Sequence, residues 1–294
     1  MFRIIRLIRV IRNYYYYYYY YSIYLNIFII LMLDRFILFF VSLSILGFFV
    51  GMLINPKNIY FFGLVLLIMF FSLAKFYSWK IKDKKFWYFL ITPLLFFVSS
   101  ILFFGFLEGQ FFLKCVIIIL FASLQWLIYQ NIFFLFKLPQ KYQSNSIRNI
   151  FDFINLISIF FLVSSFFALI IFVHISVWLL SIVLFLISSL YFFQFFWLNR
   201  VLEKRAWFFA FIFALIFVEI FYVITFLPIS FYIGGLILTL VYFNIKSIGK
   251  KYFLNIFYSE NRQCSIAIIK KNTIQYLIIN ILILTLLLAT AQYY

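Results

Sequence analysis

One carboxyl stands in the middle of an apolar run: Glu219, in "AWFFAFIFALIFVEIFYVITFL". It lies 13 residues from Ala206 and 8 from Leu227, so a helix over this run carries it about 12 Å below one end. An ionised carboxylate at that depth in hydrocarbon costs at least a few kcal/mol. The expectation is a neutral side chain turned toward other helices. The hydroxyls of Ser164, Ser165, Ser188 and Ser189 and the amide of Gln194 also fall within apolar runs and are available as partners. Two roles fit such a set: an interhelical hydrogen bond, or a proton-coupling acid that contacts a ligand. Glu219, Ser164, Ser165 and Gln194 are therefore the candidate ligand-binding residues.

Little else in the chain suggests chemistry. The single histidine, His174, supplies neither an axial pair for haem nor a metal cluster. There is no nucleophile elbow, P-loop or GxGxxG motif. Asp34, Asp83, Asp152, Glu203 and Glu260 all have Lys or Arg close by in sequence, which reads as charge balance in loops. Glu108, close to Gln110 and Lys114, and His174 read as polar groups at a headgroup boundary. No catalytic residue, cofactor or metal is expected, and the enzyme class leans to none. Cys115 and Cys264 fall in an apolar run and a basic loop, which argues against a disulfide framework.

The elements that carry these residues follow from composition. Of 294 residues, 68% are apolar and 26% aromatic, with a mean hydropathy of +1.16. A water-soluble domain is closer to half apolar. Apolar runs of about 20 residues, enough to cross a hydrocarbon core of about 30 Å, recur along the chain. They are apolar on every face, unlike the alternating strands of a membrane barrel. The fold class is all-α: a polytopic integral membrane bundle.

Nine spans are predicted: 36–54, 59–79, 86–107, 111–136, 153–173, 175–198, 206–227, 229–245 and 274–291. The run 153–198 would make a helix about 69 Å long, twice a bilayer, so it must turn back at His174. Pro228 divides the seventh span from the eighth in the same way. With nine spans, 22 of the 24 Lys and Arg fall on one side and only Lys57 and Lys114 on the other. Basic residues stay cytoplasmic, which sets the N-terminus inside, the C-terminus outside, and the spans as hairpins joined by short outer turns. A net charge of +17, which in a soluble protein would suggest nucleic acid, is here the signature of that rule; no nucleic-acid partner is expected. The basic inner loops, above all 246–272, suit anionic lipid headgroups.

Residues 1–35 form a segment apart from the transmembrane domain 36–294. Arg3, Arg6, Arg9 and Arg12 precede eight consecutive tyrosines, Tyr14 to Tyr21. Arginines of a voltage sensor sit inside the membrane opposite acids, whereas these precede the first span. They read as a basic amphipathic helix on the inner surface, or as a dispensable low-complexity overhang ahead of Met32.

Two weaker patterns remain. Gly47 and Gly51 form a GxxxG, which permits close helix approach within the chain or between copies. At an offset of 65 residues, Phe86, Ser99, Ser100 and Ser123 match Phe151, Ser164, Ser165 and Ser188, either as a decayed repeat or as separate helix-packing contacts. The function classes left open are a permease or flippase-like carrier of an apolar or lipid-like solute and a non-catalytic membrane subunit or assembly protein. A membrane-embedded lipid or glycosyl transferase ranks behind both. The location expected is a cell membrane or, alternatively, an organellar inner membrane. A homo-oligomer or a membrane-protein partner is compatible with either leading class.

Overall fold

A computed structural model describes residues 32, 35–107, 111–138, 146–199 and 201–258. The described residues form helices and turns with no strand. In hydrocarbon every backbone N–H and C=O must be satisfied within the chain, and a helix does so segment by segment. Among the described residues, eight helices are long and apolar enough to cross a membrane. They are α1 Arg35–Ile54, α2 Phe62–Phe76 with a leading 3-10 turn Pro56–Phe61, α3 Lys84–Gly105, α4 Phe111–Lys137, α5 Ser146–Val173, α6 Val177–Leu198, α7 Glu203–Ile224 and α8 Phe231–Tyr258. The protein is a multi-pass, all-helical, membrane-embedded chain. The predicted ninth span and the N-terminal segment lie outside the described residues.

The breaks have local causes. Asn55 caps the 3-10 turn by accepting from the Lys57 N–H at 3.0 Å, with Pro56 directly after it where a missing N–H costs nothing. Asp83 caps α3 through the Lys85 N–H at 3.1 Å. His174 adopts φ 56°, a left-handed conformation that ends α5 without a glycine. The chain turns again between α7 and α8 across Pro228.

Two helices are longer than expected. The fifth starts at Ser146 rather than at 153 and takes in Arg148 and Asp152. The eighth runs past 245 to Tyr258 and takes in Lys246. A hydropathy window stops at a charge; a helix does not when the charge finds a partner.

Packing rests on small residues where helices come closest. Ala206, Ala210 and Ala214, all fully buried, line the side of α7 that packs extensively on α6. Gly234 and Gly235 do the same where α8 packs on α5. A Cβ on Gly235 would lie 1.9 Å from Ser164 Oγ and 3.1 Å from its Cα. Without a hydrophobic force between helices in lipid, such close backbone contact is a main source of association. The GxxxG of α1 is not used this way: a Cβ on Gly47 meets nothing within 4 Å, and the Gly51 carbonyl accepts from Asn58 Nδ2 at 2.8 Å. Between the helices the space is filled by phenylalanine at edge-to-face angles. Phe49, for example, meets Phe104 at 5.5 Å and 69°. The buried side chains form two apolar clusters, one centred on α1–α5 and one on α5–α8.

Candidate functional site

A line of polar side chains crosses the bundle where α3, α5, α6 and α8 meet. On α5, Asp152, Asn155 and Ser158 follow one another at steps of three, which keeps them on neighbouring positions of one face. On α6, Tyr191 and Gln194 repeat that step. On α8, Tyr242 and Lys246 are four apart and share a face. α3 contributes Thr92 and Ser99.

Gln194 is the hub. Its Oε1 accepts from Thr92 Oγ1 at 2.7 Å and from Asn155 Nδ2 at 3.0 Å. Its Nε2 donates to the Tyr88 carbonyl at 2.9 Å. The Pro93 carbonyl of α3 accepts from Gln125 Nε2 at 3.1 Å, so two backbone carbonyls of this helix each take an amide from another helix. Further along, Ser158 Oγ is hydrogen-bonded to the Tyr191 hydroxyl and, at 2.8 Å, to Ser99 Oγ.

One turn from Asn155 lies an ion pair. Lys246 Nζ sits 2.9 Å from Asp152 Oδ1, with side chains only 10% and 19% exposed. It also lies 3.4 Å from the Asp152 carbonyl and 5.3 Å from the Phe195 ring centre, within cation–π range. Tyr242 is within electrostatic reach of Asp152 and Tyr191. Among the described residues, Asn155 Oδ1 and the Tyr242 hydroxyl are buried with no hydrogen-bond partner. Each such orphan costs about 1–3 kcal/mol, and these two flank the ion pair along α5 and α8.

The candidates from sequence are distributed unevenly. Gln194 is fully buried and central. Ser164 is fully buried against Gly235 with its hydroxyl unpartnered among the described residues. Ser165, Ser188 and Ser189 donate within their own helices, to the carbonyls of Phe161, Phe185 and Leu186. Glu219 is exposed and joins none of them, which corrects the expectation that it turns inward. The reason is helical phase. Glu219 is nine residues from Ala210, and nine steps of about 100° set it about 180° away from the face α7 packs on α6. The 65-residue offset is not reflected in the surroundings of its serines: Ser99 bonds Ser158 while Ser164 faces Gly235, and Ser123 is exposed while Ser188 is buried.

Sequence reasoning missed Asp152, Asn155, Thr92, Tyr191, Tyr242 and Lys246. Asp152 and Lys246 were read as loop charges because the spans were cut at the first ion. A helical projection carried two turns past each span end would have shown Asp152 in phase with Asn155, and Lys246 in phase with Tyr242. No group of three His, Cys, Asp or Glu among the described residues could hold a metal ion.

Outside the spans, one pair is perturbed. The Tyr77 hydroxyl donates to Asp83 Oδ2 at 2.6 Å. That bond, then the Lys85 N–H, holds the Asp83 carboxyl below the usual carboxylate range. Burial, then Asp83, pushes the Tyr77 phenol up to about 12.

Comparison with protein-family models, with curated proteins and with solved structures finds no match to this chain.

Proposed function

We propose that the chain is a permease- or flippase-like membrane carrier for a lipid-like solute, with the polar line through α3, α5, α6 and α8 as its path. The observation that carries this reading is the buried Asp152–Lys246 pair flanked by two unpartnered polar atoms, Asn155 Oδ1 and the Tyr242 hydroxyl. An ionisable pair inside a membrane bundle is costly to keep and marks solute or ion pathways. A lipid-like solute has a polar head for that group and an apolar body for the phenylalanine walls around it. In the same proposal the N-terminus and the basic loops face the cytoplasm, the helices alternate in direction, and anionic headgroups meet the basic loops. Asp152 lies six residues into α5, about 9 Å from its start, which is the depth at which a headgroup meets acyl chains.

The test is reconstitution of the full chain into vesicles of phosphatidylcholine carrying a trace of fluorescent phosphatidylethanolamine. Dithionite bleaching reads how much inner-leaflet probe reaches the outside. Bleaching beyond the level of protein-free vesicles, lowered at least tenfold by Asn155→Leu, is expected. Bleaching equal to protein-free vesicles removes the flippase reading.

A second reading, a non-catalytic membrane subunit, is favoured by one observation: Glu219 is exposed on an apolar surface, where a partner helix would supply what lipid cannot.

A further inference from the structure

Three buried polar atoms along α5 and α8 have no hydrogen-bond partner among the described residues: Arg148 Nε, Asn155 Oδ1 and the Tyr242 hydroxyl. Arg148, Asp152 and Asn155 are spaced by four and three residues, so they share one face of α5. Tyr242 and Lys246 share a face of α8, and Lys246 meets Asp152 at 2.9 Å. The ion pair thus lies between an unpartnered donor near the start of α5 and an unpartnered acceptor one turn deeper.

The hydrogen-bonding sense of each atom is fixed. The Tyr88 carbonyl only accepts, so it takes the amide nitrogen of Gln194 at 2.9 Å. Gln194 Oε1 is then left to face Asn155, which must offer its own nitrogen, at 3.0 Å. Asn155 Oδ1 is therefore the atom without a partner, and it only accepts. The Tyr242 hydroxyl both donates and accepts, whereas Arg148 Nε only donates. Asn155 and Tyr242 are 2% and 0% exposed, and a buried polar atom costs free energy until a partner arrives. Charge adds a second condition. Arg148, Lys246 and Asp152 sum to +1, so one negative charge beside them leaves the group neutral, the favoured state in hydrocarbon.

We propose that this site takes the head of a phospholipid with one phosphodiester charge and free hydroxyls, of the glycerol or inositol kind. The phosphate lies against Arg148 Nε and the Lys246 ammonium, as charge-assisted hydrogen bonds. One hydroxyl donates to Asn155 Oδ1 and a hydroxyl accepts from Tyr242, since an alcohol does both. The Asp152–Lys246 contact need not break. Other heads serve fewer of these atoms. A choline has no N–H for Asn155. An ethanolamine has one, but sets a third positive charge beside Arg148 and Lys246. The choice of a lipid over a soluble phosphodiester rests on the carrier reading above. Arg148 is two residues beyond Ser146 and Asn155 nine, about 3 and 14 Å from the start of α5. The phosphate therefore sits at the rim and the hydroxyls deeper, with the head leading inward along the polar line.

The test is thermal unfolding of the purified full chain in maltoside micelles with added dihexanoyl lipids, because a ligand of the folded state raises Tm. Dihexanoyl phosphatidylglycerol is compared with dihexanoyl phosphatidylethanol, which has the same charge and no hydroxyl. Basic loops attract the two alike. Phosphatidylglycerol should give the same rise in Tm at a concentration at least tenfold lower, and Asn155→Leu should erase that difference. Arg148→Gln should weaken both lipids at least threefold and leave their ratio unchanged. Equal potency of the two lipids on the wild type overturns the inference, whether or not the variants fold. Glycerophosphoglycerol, the same head without chains, separates the two sources. Action at least tenfold weaker than the lipid's supports the lipid, and equal action overturns it in favour of a soluble phosphodiester. A preference for phosphatidylglycerol without bleaching above protein-free vesicles, for a phosphatidylglycerol probe as well, supports the site and ends the flippase reading. Bleaching without that preference does the reverse.

Discussion

Breaking the Asp152–Lys246 pair from one side should cost more than removing it from both. At 2.9 Å the two charges attract by about 6 kcal/mol at an effective dielectric constant of 20. Much of that gain is cancelled by the loss of hydration both ions suffer on burial. Removing one partner leaves the other's desolvation uncompensated, and Asp152→Asn or Lys246→Met alone should each destabilise by about 3–5 kcal/mol. The double variant removes both charges and most of that penalty, so it should be less destabilised than either single one. The assay is reversible unfolding in mixed detergent–lipid micelles, read as a double-mutant cycle with a coupling of at least about 3 kcal/mol. Additive effects, or singles each below about 1 kcal/mol, would refute the buried, mutually dependent pair.

Gly235→Ala should destabilise by about 1–3 kcal/mol in the same unfolding assay, because its Cβ would lie 1.9 Å from Ser164 Oγ. Adding Ser164→Ala should recover only part of that loss, since the Ser164 Cα remains 3.1 Å away; a neutral Gly235→Ala would contradict the close crossing. Gly47→Ala should be neutral or stabilising by up to about 1 kcal/mol, and should leave the oligomeric state in light scattering unchanged, because nothing lies within 4 Å of its Cβ. Between pH 9 and 12 the wild type should lose stability that Tyr77→Phe does not lose. A phenol raised to about 12 stabilises the fold fully below its ordinary value near 10 and loses that contribution as pH climbs between the two. The lowered Asp83 carboxyl has the opposite sign: its contribution is present above the ordinary carboxylate value and disappears on acidification, a dependence that Asp83→Asn should remove.

Eight of the nine predicted spans coincide with helices, and the turns at His174 and Pro228 fall where length alone required them. Hydrocarbon thickness and backbone satisfaction act on every residue of a run, so the spans are legible in a single sequence. Rotation about each helix axis is not, because these helices are apolar all round and hydropathy has almost no phase. Small residues carried that information instead. Ala206, Ala210 and Ala214 turn α7 so that Glu219 points away, and Gly234 and Gly235 set the α5–α8 crossing. The alanine stripe is visible in "AWFFAFIFA" once the question is which face packs rather than which face is polar. The site was hidden for a related reason: Asp152 and Lys246 stand at span ends, where a lone charge and a buried pair look the same until two helices are brought together.

The polar line also lies where the two apolar clusters join. α5 contributes to both, while Leu94 of α3 and Trp197 of α6 pack against both. Hydrogen bonds between helices in a membrane average about 0.6 kcal/mol each, so the bonds at Gln194 and Ser158 together hold the halves only modestly. A seam serving adhesion alone gains nothing from an ion pair whose net worth is close to that of an apolar replacement. It gains less from burying Asn155 Oδ1 and the Tyr242 hydroxyl without partners, since each subtracts about as much as a good hydrogen bond adds. Apolar residues at 152, 155, 242 and 246 would make a more stable bundle. Other buried polar atoms also lack a partner among the described residues, Gln125 Oε1, Ser164 Oγ and Ser181 Oγ among them, but Asn155 Oδ1 and the Tyr242 hydroxyl are two that stand one turn from an ion pair, between two halves held together weakly.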